Sequence, residues 1–222
     1  HLRDGDVLAQ VVAHTARVFR RAVIMPNLSP PITSIDAAIS YRQRILKAAP
    51  AGKTFTPLMT AYLTDSLQAE VLENGFKEGI FIAAKLYPAN ATTNSSEGVS
   101  DINLINSLFE TMESIDMPLL IHGEVVDPEI DVFDREAVFI ERHLEPLLRR
   151  FPRLRVVLEH ITTQQAIEFV ETSGGRIAAT ITPHHLHINR NAMFLGGLRS
   201  DFYCLPIVKR ESHRIALRKA AT

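Results

Sequence analysis

Short apolar runs alternate with stretches of helical periodicity along almost the whole chain. Val7, Leu8, Val11, Val12 and Ala16 repeat at helical spacing and predict a helix from Asp6, as N-cap, to about Phe19. Ala22–Met25 reads as a strand ended by Pro26-Asn27, and Pro30-Pro31 as a rigid loop. Thr33 to Asp36 resembles a capping box, so a helix is expected to about Ala48. Phe55–Leu63 is the next strand candidate. A helix then starts at Asp65 or Ser66 and is expected to stop at Gly75. Phe81–Pro88 is a short apolar run closed by proline, which predicts a buried strand. After the polar loop Ala89–Gly98, Ser100 is expected to cap a helix carrying Ile102, Ile105, Phe109 and Met112 on one face. Met117–Ile121 and Arg155–Leu158 read as strands, separated by a helical stretch from Phe133 to Phe151 that Pro146 must kink or divide. Thr162 and Gln165 open a helix ended by Gly174-Gly175, and Ile177–Ile181 is a last strand. Pro206 makes Tyr203–Val208 a loop, and helical pattern resumes from about Arg210.

This alternation implies parallel strands covered by helices. A doubly wound sheet and an eight-stranded α/β barrel both fit, but no Gly-x-Gly-x-x-Gly follows the first strand, which weakens the dinucleotide-binding version. Six strands are legible, so a TIM-type (β/α)8 barrel would be incomplete. The chain opens at His1 rather than methionine and stops at Thr222 inside a helical pattern. The expectation is one truncated barrel domain over 1–222, with the first barrel strand before His1 and the last beyond Thr222. A barrel left open would expose strand edges.

Composition narrows the function classes. A hydrophobic fraction of 46% supports a sizeable core, and a formal net charge of -1 gives no field that would favour nucleic acid or an anionic membrane. No apolar run approaches a membrane span. The single cysteine, Cys204, fits a reducing, cytoplasmic setting and reads as a small buried hydrophobe.

The chemistry lies in polar residues at strand ends. Asn27, Lys85, His122 and His160 each follow an apolar run near its C-terminal end. In parallel α/β folds those ends face one side, where loops build the active site. Lys85 is the anomaly, since lysine is rarely buried without a partner. Its stem could pack while its ammonium reaches water, or it could be held dry for chemistry. Neutral imidazoles are good zinc ligands. A neutral lysine amine, favoured by burial, can take up carbon dioxide and become a carboxylate that bridges two metals. Such a pair, about 3.5–4 Å apart, would hold a hydroxide ready to attack a carbonyl. A Lys85 Schiff base is the competing chemistry, but it leaves His122 and His160 without work. The polar loop Ala89–Gly98 is either an ordinary connection or a lid.

At His1-Leu2-Arg3-Asp4-Gly5, Met25-Pro26-Asn27-Leu28, Ala84–Ser95, Ile121-His122-Gly123-Glu124, Phe133-Asp134-Arg135-Glu136, Glu159–Thr163 and Thr180–Pro183 the chain resembles the dihydroorotases of the bacterial homodimeric class, in the amidohydrolase superfamily. The resemblance implies an amidohydrolase-type barrel, a cytoplasmic homodimer and the reversible cyclisation of N-carbamoyl-L-aspartate to L-dihydroorotate in pyrimidine biosynthesis. It implies two Zn2+ per subunit, with Lys85 as N6-carboxylysine bridging them. His122 and His160 match the ligands of one zinc, and His1 matches the second histidine of a His-x-His pair on the other. Arg3 and Asn27 match groups that hold the substrate carboxylate, a role suited to guanidinium geometry. Thr92 and Thr93 match lid residues, His122 also lies against substrate, and Leu205 matches a residue that contacts the pyrimidine ring through its backbone.

Two elements of the family pattern are absent. The first histidine of His-x-His would precede His1, and the general-base aspartate would lie beyond Thr222, so the chain alone is expected to be inactive. The alternatives are a hydantoinase- or allantoinase-type hydrolase and a catalytically inactive homologue serving as a structural partner. Arg3 and Asn27 argue against the former, because they suit a free carboxylate. His14, His143 and His213 fall on helical segments, and His184, His185 and His187 read as supporting or structural rather than as ligands.

Overall fold

The apolar runs pair in the order in which the chain makes them. The computed structural model describes residues 1–222. Its strands are β1 Arg21–Ile24, β2 Thr56–Tyr62, β3 Phe81–Leu86, β4 Leu119–Ile121, β5 Val156–Leu158 and β6 Ile177–Ala179. They form one sheet in the order β1-β2-β3-β4-β5-β6, every pair parallel. An order that never reverses has no switch point, which removes the doubly wound alternative. The winding is that of an incomplete TIM barrel, six staves of it, with β1 and β6 each paired on one side only.

The helices, one ahead of β1 and the others after the strands, cover one face. They are α1 Gly5–Val18, α2 Ile35–Ala48, α3 Ala69–Lys77, α4 Asn106–Ser114, α5 Arg135–Phe139, α6 Glu145–Arg150, α7 Gln164–Thr172, α8 Pro183–His187 and α9 Glu211–Ala220. A single cluster of 41 buried residues joins helix positions such as Val12, Tyr41, Leu72, Phe109 and Ala166 to strand positions Ile24, Ala61, Ala84, Ile121 and Leu158. The other, concave face carries the alternate residues: Met25, Ala83 and Leu120 pack there with Ile82 and Val157. Val23, on that face of the edge strand β1, is 40% exposed.

One irregularity decides what the concave face presents. Met59 and Thr60 are consecutive in β2, yet they pair with Phe81 and Ala83 in β3. Ile82 is therefore an extra residue, a β-bulge, and a one-residue insertion reverses the side-chain phase. Phe81 and Ala84 accordingly both face the helices. Without the bulge Lys85 would point into the helix layer; with it, Lys85 joins the concave face in register with Leu120.

Several local expectations are corrected. Asp4, not Asp6, caps α1, its carboxylate accepting from the Gly5 N–H. Helix α3 starts at Ala69 rather than at Asp65 or Ser66 and runs through Gly75. Gly75 is there for closeness: a Cβ would sit 2.3 Å from Phe81 Cδ2. Asp65 instead accepts from the Ser100 N–H at 3.0 Å and hydroxyl at 2.6 Å, so Ser100 is not a helix cap. Asp101 takes that role, on a 3-10 turn at Ile102–Ile105 that leads into α4. Thr163, not Thr162, caps α7. Pro146 does divide its helix: a π-helical turn, Ile140–Leu144, separates α5 from α6, and the proline sits in the first turn of α6. Cys204 is exposed rather than buried. No helix is long and apolar enough to cross a membrane.

Candidate metal centre

Three strand ends bring Lys85, His122 and His160 together. Lys85 is 1% exposed, so its ammonium does not reach water. Its Nζ donates to Glu159 Oε2 at 2.6 Å and lies 5.1 Å from the centre of the Tyr87 ring. Burial lowers the Lys85 pKa from the ordinary lysine value, and the charge and hydrogen bond of Glu159 oppose that shift only in part. His122 continues the phase of Leu120 past the end of β4. Its Nε2 bonds Glu124 Oε2 at 2.9 Å, which leaves Nδ1 outside that bond. Its ring meets that of His160 edge-on, centroids 4.9 Å apart.

His160 arrives by a different route. After Val157, on the concave face, alternation gives Glu159 to the concave side and would send His160 outward. The backbone turns instead: His160 has φ 44, in the left-handed region. Its N–H donates to Thr180 Oγ1 at 2.8 Å. Its Nδ1 is buried with no hydrogen-bond partner. Burial first, then the charges of Lys85 and His122, hold its pKa well below the usual histidine value, so the ring is neutral at pH 7.

The other expected residues surround this group unevenly. His1 is exposed, and its α-amino group lies near enough to feel the charges of Arg3, Glu159 and Lys85. Arg3 has φ 60, its carbonyl accepts from the Tyr41 hydroxyl at 2.6 Å, and its Nη1 is buried without a partner. Asn27 is buried and tied to the polar loop: its Nδ2 donates to Thr93 O at 2.9 Å, and Asn94 Nδ2 donates back to Asn27 O at 3.1 Å. The Tyr62 hydroxyl donates to Asn94 O, and Tyr62 stacks on Tyr87 with centroids 5.3 Å apart. The loop carrying Thr92 and Thr93 is thus docked over the end of β1. Leu205 lies in a separate small cluster with Met193, Ile207 and Val208. The neighbouring Pro206 carbonyl accepts from His185 Nε2 at 2.9 Å.

Glu159, Glu124 and Tyr87 received no role from the sequence. Their positions were nevertheless legible. Tyr87 is two residues past Lys85 and Glu124 two past His122, each in phase with its neighbour, and Glu159 follows Val157 by two.

The donor set fits divalent metals. It offers two imidazoles, one whose charged form burial disfavours, an orphaned ring nitrogen, and a buried amine whose charged form is likewise disfavoured. No three His, Cys, Asp or Glu side chains converge closely enough to hold a metal by themselves.

No protein-family model matches the chain. The dihydroorotase of Synechococcus sp. (strain CC9605) is 69% identical over all 222 residues, and the chain spans 64% of the length of that relative. The crystal structure of dihydroorotase from Campylobacter jejuni superposes with a TM-score of 0.91 at 40% identity, covering 100% of this chain and 63% of that one. The L-hydantoinase of Arthrobacter aurescens superposes at 0.79 with 14% identity over 98% of this chain and 52% of that one, a likeness of fold alone.

Proposed function

We propose that the chain belongs to the dihydroorotase family, to whose members it is similar over its whole length, and that the intact protein interconverts N-carbamoyl-L-aspartate and L-dihydroorotate. The observation that carries the reading is the convergence of a fully buried lysine with two imidazoles at one rim of the sheet. His122 and His160 would hold one zinc, His1 would contribute to a second, and Lys85, as N6-carboxylysine, would bridge them. Bound there, the metals supply Lewis-acid polarisation of the amide carbonyl and lower the pKa of a water.

The chain's own residues do the rest. Glu124 fixes the His122 tautomer with the proton on Nε2, so Nδ1 remains a lone-pair donor. Burial keeps His160 neutral and therefore able to ligate. Carbon dioxide attack needs the free amine, and burial favours that form of Lys85. Arg3 presents an unpaired buried Nη1 that suits the free carboxylate of the substrate. Asn27, bonded to Thr93 O, links this carboxylate subsite to the loop of Thr92 and Thr93, which would close over the substrate. Leu205 would contact the ring through its backbone. The unpaired Arg3 guanidinium disfavours a ring substrate lacking a carboxylate.

The test is zinc content and dihydroorotate hydrolysis of the intact protein, repeated with Lys85→Ala. Loss of both metal and activity is expected. Unchanged turnover in that variant would remove Lys85 from the bridging role.

A further inference from the structure

Most metal-ligating histidines have the ring fixed from behind by a hydrogen bond on the second nitrogen. His122 has one, from Glu124. His160 does not: neither of its ring nitrogens has a hydrogen-bond partner, whichever one faces the metal position. Its ring direction must therefore come from its backbone, and that backbone is in the left-handed region, φ 44, a strained conformation for a non-glycine residue that persists only where its surroundings enforce it.

The enforcement comes from two sides. Behind the turn, the His160 N–H is bound to Thr180 Oγ1 at 2.8 Å and the Ile161 N–H to Thr180 O at 2.9 Å. In front stands Glu136, in the first turn of α5 and 2% exposed. Its carboxylate accepts from four donors on the two residues that follow Ile161. Thr162 N–H lies 2.9 and 3.0 Å from its two oxygens, and the Thr162 hydroxyl 2.9 Å from Oε2. Thr163 N–H and hydroxyl reach Oε1 at 2.9 and 2.5 Å. The Thr163 hydroxyl in turn accepts from Ala166 N–H and so caps α7. Lys209, itself buried and donating to Ile207 O at 2.8 Å, lies within electrostatic reach of both Glu136 and Glu124.

A buried carboxylate is a poor device for stability alone, because desolvation offsets much of what its contacts return. Burial indeed raises the Glu136 pKa against the pull of those contacts. What a carboxylate does better than any neutral side chain is accept from four converging donors at once. We propose that Glu136 is a positioning residue for His160: by gripping both donors of Thr162 and both of Thr163 it holds the strained turn that aims the His160 ring at the metal position. The inference rests on the metal-centre reading above for its purpose, but not for its geometry. Nothing in it requires Glu136 to touch metal or substrate.

The experiment uses the intact protein labelled with 13Cε1-histidine, wild type and Glu136→Gln, with His160→Gln to assign the resonance. Glutamine keeps the volume but sets an NH2 against donors. The metal-free wild type should show one sharp His160 resonance, and Glu136→Gln a shifted or multiple one, while the His122 signal moves less. Zinc affinity, measured by chelator competition, should fall roughly 10–100-fold. At saturating zinc, KM should stay near the wild-type value and kcat should largely recover. A single unshifted His160 resonance together with wild-type zinc affinity overturns the proposal, even if the melting temperature drops, since that pattern describes a merely structural acid. Should Glu136→Gln fail to fold, Thr162→Val removes one of the four donors and must show the same changes in weaker form. If the wild type binds no zinc, the metal-centre reading fails, and the resonance comparison still decides whether Glu136 orients the ring.

Discussion

Acid should loosen the protein through His185, by an amount the structure sets. His185 lies in α8 and is 2% exposed. Its Nε2–H donates to the Pro206 carbonyl at 2.9 Å, and Nδ1 accepts from the Thr182 hydroxyl at 2.5 Å. Burial, with smaller contributions from the charges of His184 and Lys209, pushes its pKa from the ordinary 6.5 down to about 4. A depressed pKa means the unfolded chain binds the proton more readily than the folded one. The stabilisation is therefore complete above pH 6.5 and is lost as pH falls toward 4. With those two values, this one group should cost almost nothing at pH 8 and about 2 kcal/mol at pH 5. The comparison is His185→Gln, which can still donate to Pro206 but cannot titrate. Urea unfolding of the metal-free intact protein at fixed concentration, wild type against variant, should show the stability difference moving by about 2 kcal/mol in the variant's favour between pH 8 and pH 5. A difference that stays flat over that range would refute the reasoning.

Gly75→Ala places a methyl against the Phe81 ring, where the built Cβ lies 2.3 Å from Cδ2; a loss of about 1–3 kcal/mol is expected in urea titration, and Phe81→Leu in the same background should recover part of it. No change in midpoint would mean that α3 can shift away from β3 freely. If Arg3 holds the substrate carboxylate as proposed, Arg3→Met removes a charge-assisted pair. A KM increase of roughly 10–150-fold follows from about 1.5–3 kcal/mol for such a bond, with kcat altered less; an unchanged KM assigns the carboxylate to other groups. Lys85→Met keeps side-chain volume but strands Glu159. In metal-free protein it should cost about 3–5 kcal/mol, and Glu159→Gln in the same chain should return most of it. A Lys85→Met protein as stable as wild type would show that the Lys85–Glu159 pair is not what holds these strand ends together.

The strand and helix alternation, the six strands and the strand-end placement of Asn27, Lys85, His122 and His160 were all written in the sequence, because hydrophobic period and the Pro and Gly signals are local properties of the chain. Helix starts were less legible. Asp6, Ser66, Ser100 and Thr162 all have side chains that could cap, and which of them does so depends on a competing partner distant in sequence: Asp65 takes Ser100, and Glu136 takes Thr162. Gly75 read as a helix stop because the ring it accommodates belongs to another element.

Only the tertiary structure decided which way the key side chains point. Simple alternation from Phe81 would have turned Lys85 toward the helices, and alternation from Val157 would have turned His160 outward. A bulge at Ile82, visible only against β2, reverses the first, and a left-handed turn gripped by Thr180 and Glu136 reverses the second. Composition and period fix how much of a strand is apolar, but the phase of a side chain past an irregularity is set by the neighbouring strand and by hydrogen bonds from other elements. Those partners are chosen when the sheet assembles.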